Sequence, residues 1–180
     1  SAASDVYKRQ LYARLLCGRL AASEAVDEIA LIVTGNGRRV AAYEDRTDWM
    51  DDPRYTLYDD GDLFGAPASG SARYDAMAVV PCSMGMAGRI ASGVSDSLAS
   101  RAADVMLKER RRLVFVVRET PLSLIHLRNM TALTEAGAVI LPACPSFYAG
   151  AQDVEALCGT VADRAVALLG VDAEHYEWGE

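Results

Sequence analysis

The chain carries four short apolar runs separated by longer segments in which apolar residues recur at helical spacing. The runs are rich in Val and Ile, and they lack the strict alternation of a strand with one solvated face. They are therefore typical of strands that are buried on both sides. Buried strands that alternate with helices predict a parallel sheet with right-handed crossover connections. The predicted strands cover residues 28–35, 76–83, 112–119 and 137–144.

The segments between and around these strands predict six helices. Together they indicate a single-domain α/β fold, a doubly wound parallel sheet with helices on both faces. Thr120 is a suitable cap for the fifth helix, with Pro121 at its first helical position. We expect the domain to span residues 11–170 and a C-terminal tail to span residues 171–180. The predicted helices cover residues 11–22, 37–45, 84–93, 97–109, 121–135 and 151–169.

Two segments depart from this pattern. Residues 46–75 are rich in acids and turn formers, which predicts a long surface loop with room for a short helix or strand. Residues 1–10, SAASDVYKRQ, match neither a strand nor the start of a helix. An α/β chain of this kind normally opens with an apolar strand that leads into its first helix. We therefore interpret residues 1–10 as a non-native or truncated segment.

Composition and charge narrow the function classes. With 180 residues, of which 51% are hydrophobic, the chain suits one well-buried core. The net charge of −7 and the lack of basic blocks other than KERRR at 108–112 make nucleic acid an improbable partner. The four cysteines lack the spacing of a zinc site, and no run of apolar residues is long enough for a membrane span. These features favour a cytoplasmic protein with no membrane partner.

Candidate chemistry collects where the predicted strands end. In open parallel sheets, ligands bind beyond the carboxyl ends of the strands, where loops and helix N-termini offer unpaired N–H groups. The four ends carry TGNG from Thr34, CSMGM from Cys82, RETP from Arg118 and CPSFY from Cys144. All four are polar, small or glycine-bearing, as a site that holds an anion requires.

Arg118 and Glu119 form the most informative of these ends. A charge at the end of a buried strand is costly unless it is paired or meets an anion, so Arg118 suggests a phosphate ligand. Glu119 could then carry a proton or orient the arginine. A structural salt bridge, with Lys108 or a neighbouring helix, is an equally good interpretation of the pair.

Two segments carry a strong resemblance to a known family. They are YDDGDLFGAPASGS and the long stretch VVPCSMGMAGRIASGVSDSLASRAADVMLKERRRLVFVVRETPLSLIHLRNM, which continues as TALTEAGAVILPACPSFY. Both resemble the UbiX family of flavin prenyltransferases. The resemblance extends over about residues 11–170. It implies a flavodoxin-like fold, a homo-oligomer built from trimers, up to a dodecamer, and FMN as cofactor. Members of the family transfer a dimethylallyl group from dimethylallyl phosphate to reduced FMN, and the prenylated FMN serves UbiD-type decarboxylases.

The resemblance also assigns site residues. It implies FMN contacts from six residues, and phosphate or prenyl-transfer roles from an overlapping set. Glu44, on the helix after Thr34, lies near a family glutamate that faces the flavin. The implied FMN contacts are Thr34, Ser83, Met84, Gly85, Met86 and Arg118; the implied catalytic and substrate-phosphate residues are Lys108, Arg118, Glu119, Tyr148 and Arg164.

These residue types suit the implied reaction. An allylic phosphate leaves as an anion, and cations with a tyrosine hydroxyl stabilise the charge that develops on it, so no metal is required. Glu119, or the released phosphate, can take the proton that is lost at the end. Apolar walls would keep water from the allylic cation, and Trp49, Phe64 and Met86 are candidates for them, although core or interface packing is the favoured role for any one of them.

The N-terminus is the main departure from the family. Its members begin with an apolar strand and a Gly-Ala-Ser-Gly type turn that holds the FMN phosphate, whereas this chain has SAASDVYKRQ. Two alternatives therefore stay open. One is an FMN-dependent decarboxylase of the same superfamily, which would bring an early catalytic histidine, although the first histidine here is His126. The other is a non-catalytic flavin-binding subunit.

Overall fold

The computed structural model describes residues 2–43 and 48–171, with side chains from residue 10 onward except that of Ala149. Five strands are present in this part of the chain, and every pair of hydrogen-bonded strands runs parallel. Four of them match the predicted apolar runs, and the fifth, β2, lies within the segment predicted as a loop with room for a short strand. The strands are β1 (Ile29–Val33), β2 (Tyr55–Asp59), β3 (Ala76–Cys82), β4 (Arg112–Val117) and β5 (Val139–Pro142).

Six α-helices accompany the strands within residues 2–43 and 48–171, and each overlaps a predicted helix. Short 3-10 helices are interspersed with them, and the longest of these spans Asp48–Asp51. The α-helices are α1 (Ala2–Ala22), α2 (Gly35–Tyr43), α3 (Met84–Ala91), α4 (Leu98–Lys108), α5 (Leu124–Glu135) and α6 (Val154–Leu169).

Three predicted helix starts were wrong by three residues or more. Helix α6 begins at Val154 and not at residue 151. Helix α1 begins at Ala2 and not at residue 11, because residues 2–17 contain neither Pro nor Gly and are mostly good helix formers. Helix α5 begins at Leu124, and Thr120 with Pro121 lies in the preceding loop. The cap of α5 is Ser123, whose hydroxyl accepts from the backbone N–H of His126 while the ring nitrogen of His126 accepts from the N–H of Ser123, both at 3.2 Å.

Strand β4 separates two apolar layers. Leu113, Phe115 and Val117 point toward α3, α4 and α5, where they join one buried cluster. Val114 and Val116 point the other way and pack with α1 and α6. This alternation follows from the two-residue period of a strand. It confirms the predicted doubly wound arrangement with helices on both faces.

The sheet, however, is divided. Strands β1 and β2 form one sheet, while β3, β4 and β5 form another in that order. In the part of the chain that the structure describes, the free edges of β1 and β3 border a common cavity of about 1580 Å³. The single continuous sheet of the sequence-based prediction is therefore present as two half-sheets with a gap between them.

Two contacts hold the half-sheets in place across the gap. At the amino ends of the strands, the hydroxyl of Tyr74 donates to Glu28 Oε1 at 2.9 Å. On the other side, Asp60, which follows β2, accepts from the first N–H groups of α4. Its carbonyl oxygen lies 2.7 Å from Leu98 N, and its Oδ1 lies 2.8 Å from Ala99 N. An acidic cap at a helix N-terminus also favours the helix dipole.

None of the helices in the described part of the chain is both long enough and apolar enough to cross a membrane.

Candidate functional site

The carboxyl ends of β1, β3 and β4 open onto the same end of the large cavity. Six of the residues predicted to bind FMN or to act in the transfer line it, and they come from three different strand ends. The convergence of these residues agrees with the expectation that ligands bind at the carboxyl edge of a parallel sheet. The six lining residues are Thr34, Ser83, Gly85, Met86, Arg118 and Glu119.

Ser83 shapes the loop between β3 and α3. It is the N-cap of α3, and its Oγ accepts from the backbone N–H of Met86 at 3.1 Å. The N–H groups of the first turn are directed toward the cavity end of the helix, where the dipole favours an anion. Met84 is different, because it is buried in the core cluster beneath the loop and does not line the cavity. Its predicted contact with FMN has no support from this geometry.

Thr34 plays the equivalent part after β1. Its Oγ1 accepts from Gly37 N–H at 3.1 Å, and its carbonyl oxygen accepts from Arg38 N–H at 2.9 Å. A Cβ on Gly37 would lie 3.2 Å from Thr34 Oγ1, so a larger residue there would crowd this turn. A second helix N-terminus therefore faces the same cavity.

Arg118 and Glu119 extend β4 into the cavity. Arg118 is half-buried and forms no ion pair with the described residues, and Glu119 is exposed, with its Oε1 accepting from Thr120 N–H at 3.1 Å. The salt bridge between Arg118 or Glu119 and Lys108 is absent from the described residues. A half-buried guanidinium with no carboxylate partner fits an anionic ligand better than a structural ion pair.

The other predicted site residues with described positions do not line the cavity. Lys108 ends α4 at the opposite edge of the sheet, and its Nζ lies 2.6 Å from Glu109 Oε1. This contact lowers the pKa of the Glu109 carboxyl, chiefly through the hydrogen bond from Lys108. Arg164 is exposed on α6, in the third turn. Tyr148 is 87% exposed in the loop after β5. Glu44 lies outside the described residues.

Two residues that the sequence did not single out also line the cavity. Gln10 of α1 donates from Nε2 to the carbonyl oxygen of Gly37 at 2.8 Å, while its Oε1 is buried without a partner among the described groups. Arg89 of α3 forms a two-pronged ion pair with Asp96, at 3.0 and 2.9 Å. Gln10 falls in the segment interpreted as non-native. In the sequence, Arg89 looks like an ordinary surface arginine of a helix, so nothing marked it as a cavity residue.

The cysteines do not form a redox or metal centre in the described residues. Burial raises the pKa of Cys17 and of Cys82 to about 12, so both thiols stay protonated. Cys82 is 2% exposed and packs in the core as a small buried residue. Among the residues with described positions, no group of three His, Cys, Asp or Glu side chains is arranged to hold a metal ion.

Comparison with known proteins decides the family. The chain matches the family model Flavoprotein over residues 2–166. A flavin prenyltransferase UbiX from Archaeoglobus fulgidus is 49% identical over 125 residues, which are 69% of this chain and 69% of that protein. The chain belongs to the UbiX family of flavoproteins.

Solved structures of the family superimpose closely on this fold. A UbiX protein in complex with FMN and dimethylallyl pyrophosphate has a TM-score of 0.83 at 40% identity, covering 94% of this chain and 89% of its own. A dodecameric FMN-dependent UbiX-like decarboxylase from Escherichia coli O157:H7 has the same TM-score at 32% identity, covering 92% and 90%. The flavodoxin-like architecture implied by the sequence resemblance is thereby confirmed.

Proposed function

We propose that this chain is a flavin prenyltransferase, which transfers a dimethylallyl group from a dimethylallyl phosphate ester to reduced FMN. The observation that carries the proposal is the UbiX structure at 40% identity, which contains FMN and dimethylallyl pyrophosphate together. The curated relatives that bear the name flavin prenyltransferase support the same activity. The donor in this proposal is the monophosphate, as the family resemblance implies.

The cavity at the carboxyl edge has the features that FMN binding needs. The N-termini of α2 and α3 both lie at its wall and would offer their remaining first-turn N–H groups to a phosphate. Thr34, Ser83 and Gly85 would hold the cofactor, and Arg118 would supply a cation that forms no ion pair with the described residues. When bound, reduced FMN supplies the nucleophilic ring that accepts the prenyl group. This chain's residues bind it, orient it and keep water out.

Arg118 and Glu119 are the proposed centre of the transfer. The guanidinium would bind the phosphate of the donor and stabilise the charge that grows on it as the allylic bond breaks. Glu119 lies next to it on the cavity wall and would take the proton that is lost after ring closure. Because cations of the protein would stabilise the leaving phosphate, we continue to expect that the transfer requires no metal ion.

Lys108, Tyr148 and Arg164 would act on a substrate that is bound to a neighbouring copy. Lys108 precedes β4 and Arg118 follows it, so the six residues of β4, about 20 Å of extended chain, separate them within one subunit. Arg164 is likewise displaced from the start of α6 by about 15 Å of helix. A homo-oligomer that places these groups at another subunit's cavity would complete the phosphate site.

Exposed apolar side chains support this association. Phe64 is 99% exposed, Phe147 77% and Tyr148 87%, and the first turn of α5 exposes Leu124 and Ile125. Apolar surface of this kind is typical of a protein–protein interface. We infer a homo-oligomer, for which the dodecameric UbiX-like structure is the precedent. Phe64→Ser should shift the assembly toward smaller species in sedimentation velocity, and unchanged sedimentation would argue against this surface.

Two further expectations complete the proposal. The product, prenylated FMN, would be passed to a UbiD-type decarboxylase, and both reactions would take place in the cytoplasm. The catalytic domain would span residues 11–170. Residues 1–10 stay interpreted as a non-native or truncated segment, although α1 begins at Ala2, and residues 171–180 as a C-terminal tail.

The decisive test is mass spectrometry of the flavin that is extracted after anaerobic incubation with reduced FMN and dimethylallyl phosphate. We expect the flavin to gain one dimethylallyl unit. Glu119→Gln should lower this yield strongly at saturating substrate, whereas Glu135→Gln, the same change at an exposed glutamate at the end of α5, should not. Bound but unmodified FMN would contradict the proposal. Release of carbon dioxide from a peptide or acid substrate would favour the decarboxylase alternative.

A further inference from the structure

We propose that Thr160 of α6 is a positioning residue for the prenyl transfer, because its hydroxyl holds the loop after β5 so that Tyr148 stays beside Arg164. We call residues 143–152 the β5–α6 loop. Thr160 would act through Tyr148 and Arg164 and not on the substrate itself. The inference therefore rests on the proposed function, in which both of these residues serve the phosphate of the donor.

The hydroxyl of Thr160 joins the β5–α6 loop to the helix. Its Oγ1 accepts from the backbone N–H of Ser146 at 2.9 Å, and its O–H donates to the carbonyl oxygen of Leu157 in α6 at 2.7 Å. Because a hydroxyl carries a single hydrogen, the bond to Leu157 directs that hydrogen into the helix and leaves the lone pairs for the loop. Both hydrogen bonds are partly buried, so water is partly excluded from them.

The bond to Thr160 is the main anchor of the β5–α6 loop. In the part of the chain with described positions, it is the one hydrogen bond that connects residues 145–152 with another segment. The 3-10 turn that follows, Phe147–Ala149, begins at Ser146 without a side-chain cap. A turn that lacks a cap of its own depends on such outside contacts. Thr160 therefore fixes the point at which this turn begins.

Tyr148 depends on this anchor because its side chain packs little within the subunit. The side chains of Phe147 and Tyr148 are 77% and 87% exposed. Packing against the subunit's own core therefore does not fix the tyrosine, and its position follows that of the backbone. Tyr148 comes two residues after Ser146, which is at most about 7 Å of extended chain. While Thr160 holds Ser146, Tyr148 stays close to α6.

Arg164 lies on the same face of α6 as Thr160. The two residues are four positions apart, so their side chains are neighbours about 6 Å apart along the helix. The loop that is bound at Thr160 therefore lies about one helical turn from Arg164. A tyrosine hydroxyl and a guanidinium held side by side suit a phosphate, because both donate hydrogen bonds to its oxygens. Thr160 thus keeps the loop and the helix together as one half of the donor site.

Kinetics of Thr160→Val test this role, since valine has a similar shape but cannot accept the hydrogen bond from Ser146. With reduced FMN and dimethylallyl phosphate, we expect the KM for dimethylallyl phosphate to rise at least fivefold and kcat/KM to fall at least tenfold. The Kd for FMN should change less than twofold. Thr160→Ser keeps the hydroxyl and should restore kcat/KM to within threefold of the parent value.

Thr134→Val is the matched control. The hydroxyl of Thr134 donates to the carbonyl oxygen of Met130 within α5 at 2.9 Å, and among the described residues it accepts no hydrogen bond from a loop. Its removal should leave the KM and kcat/KM unchanged. Hydrogen exchange with mass spectrometry gives a comparison that needs no flavin. Exchange of residues 146–150 should be at least tenfold faster in Thr160→Val and the same as the parent in Thr134→Val.

A second pair of variants changes the donor side of the same hydrogen bond. Ser146→Pro removes the N–H that Thr160 accepts, and the φ of −86° at this residue is close to the value that proline requires. Ser146→Ala keeps the N–H, and the side chain of Ser146 makes no cap hydrogen bond that would be lost. We expect Ser146→Pro to reproduce the kinetics of Thr160→Val and Ser146→Ala to resemble the parent.

An active parent with an equally active Thr160→Val would overturn the positioning role alone. A Thr160→Ser variant as impaired as Thr160→Val, or a loss of FMN affinity equal to the change in KM, would overturn it as well. If Thr160→Val does not fold by circular dichroism, the comparison of Ser146→Pro with Ser146→Ala decides the question. A parent chain that transfers no prenyl group would instead overturn the proposed function, and the role of Thr160 in the reaction with it.

Discussion

Charged and polar side chains at the carboxyl edge are held by local backbone contacts and not by one another. Ser83 and Thr34 each accept from an N–H three residues later, which fixes the start of the following helix. Glu119 is likewise oriented by the N–H of Thr120. Among the residues with described side chains, Arg118 has no ion-pair partner. An anion that enters the cavity would therefore meet a guanidinium that is not paired with any of these residues.

Ser83→Ala should destabilise the folded chain by about 1 kcal/mol, because the variant leaves a first-turn N–H of α3 without its acceptor. Urea unfolding followed by circular dichroism measures this change. Ser92→Ala is the matched control, since Ser92 is exposed and its hydroxyl makes no hydrogen bond in the described residues. Equal stability of the two variants would show that the cap of α3 is not a stabilising contact.

The cysteines should differ sharply in reactivity. Burial raises the pKa of Cys17 and Cys82 to about 12, whereas Cys144 is exposed. The thiolate is the form that reacts with iodoacetamide, so Cys144 should be alkylated first at pH 8 in the native protein. Peptide mapping after timed quenching would identify the labelled site. Early labelling of Cys82 would mean that its strand end opens readily, and Cys144→Ser should remove the fast phase.

At the scale of the elements, periodicity located the helices and the apolar strands, since both signals are local in the sequence. It could not locate the start of α1, because Ala, Lys and Arg favour a helix but mark no apolar face over the first turns. Strand β2, YTLYD, was hidden in an acid-rich segment because only two of its five side chains are partly buried.

The carboxyl-edge residues were predictable, since strand order alone brings them together. Lys108 and Arg164 were grouped with them by resemblance, which carries no information on which subunit supplies a residue.

Helix α1 is held to α6 by apolar packing more than by ion pairs. Leu16 is 2% exposed and packs with Val161 and Ala165, so Leu16→Ala should cost about 2–5 kcal/mol in the free energy of unfolding. Arg14 pairs with Glu155 at 2.7 Å in a solvent-exposed contact, and Arg14→Ala should cost under about 1 kcal/mol. Urea titrations of both variants give the comparison. A larger loss from Arg14→Ala would reverse this ranking of the two contacts.

At the scale of the whole molecule, two half-sheets share one pair of helical layers. The three-stranded half holds most of the buried side chains, whereas β1 contributes Val33 to a small cluster with Ala41 and Met50. The sequence predicted one sheet because it reports the apolar character of each strand and not which edges meet. Pairing is a long-range property, and nothing in IALIV or AMAVVPC specifies the neighbour of either strand.

Stability of the whole chain should fall in alkaline solution. Burial raises the pKa of Cys17 and Cys82 from the ordinary value of 9.0 to about 12. Below pH 9 both states keep these protons; between pH 9 and 12 the unfolded chain loses them while the folded chain does not, so the free energy of unfolding decreases as the pH rises. Urea midpoints from pH 7 to 11 measure the decrease. Cys17→Ala should make the profile shallower, and a flat profile in the parent chain would contradict the burial of both thiols.

The cavity between β1 and β3 is covered by α1 and α4, and this arrangement has a consequence when the protein is heated. An uncovered strand edge is a template for pairing with another molecule, and here two such edges lie side by side behind the helices. While α1 is docked, the helix restricts the access of other chains to both edges. Once α1 detaches, both edges become available at the same time, and intermolecular β-pairing competes with refolding. The temperature at which α1 leaves the sheet therefore sets the temperature at which the protein aggregates.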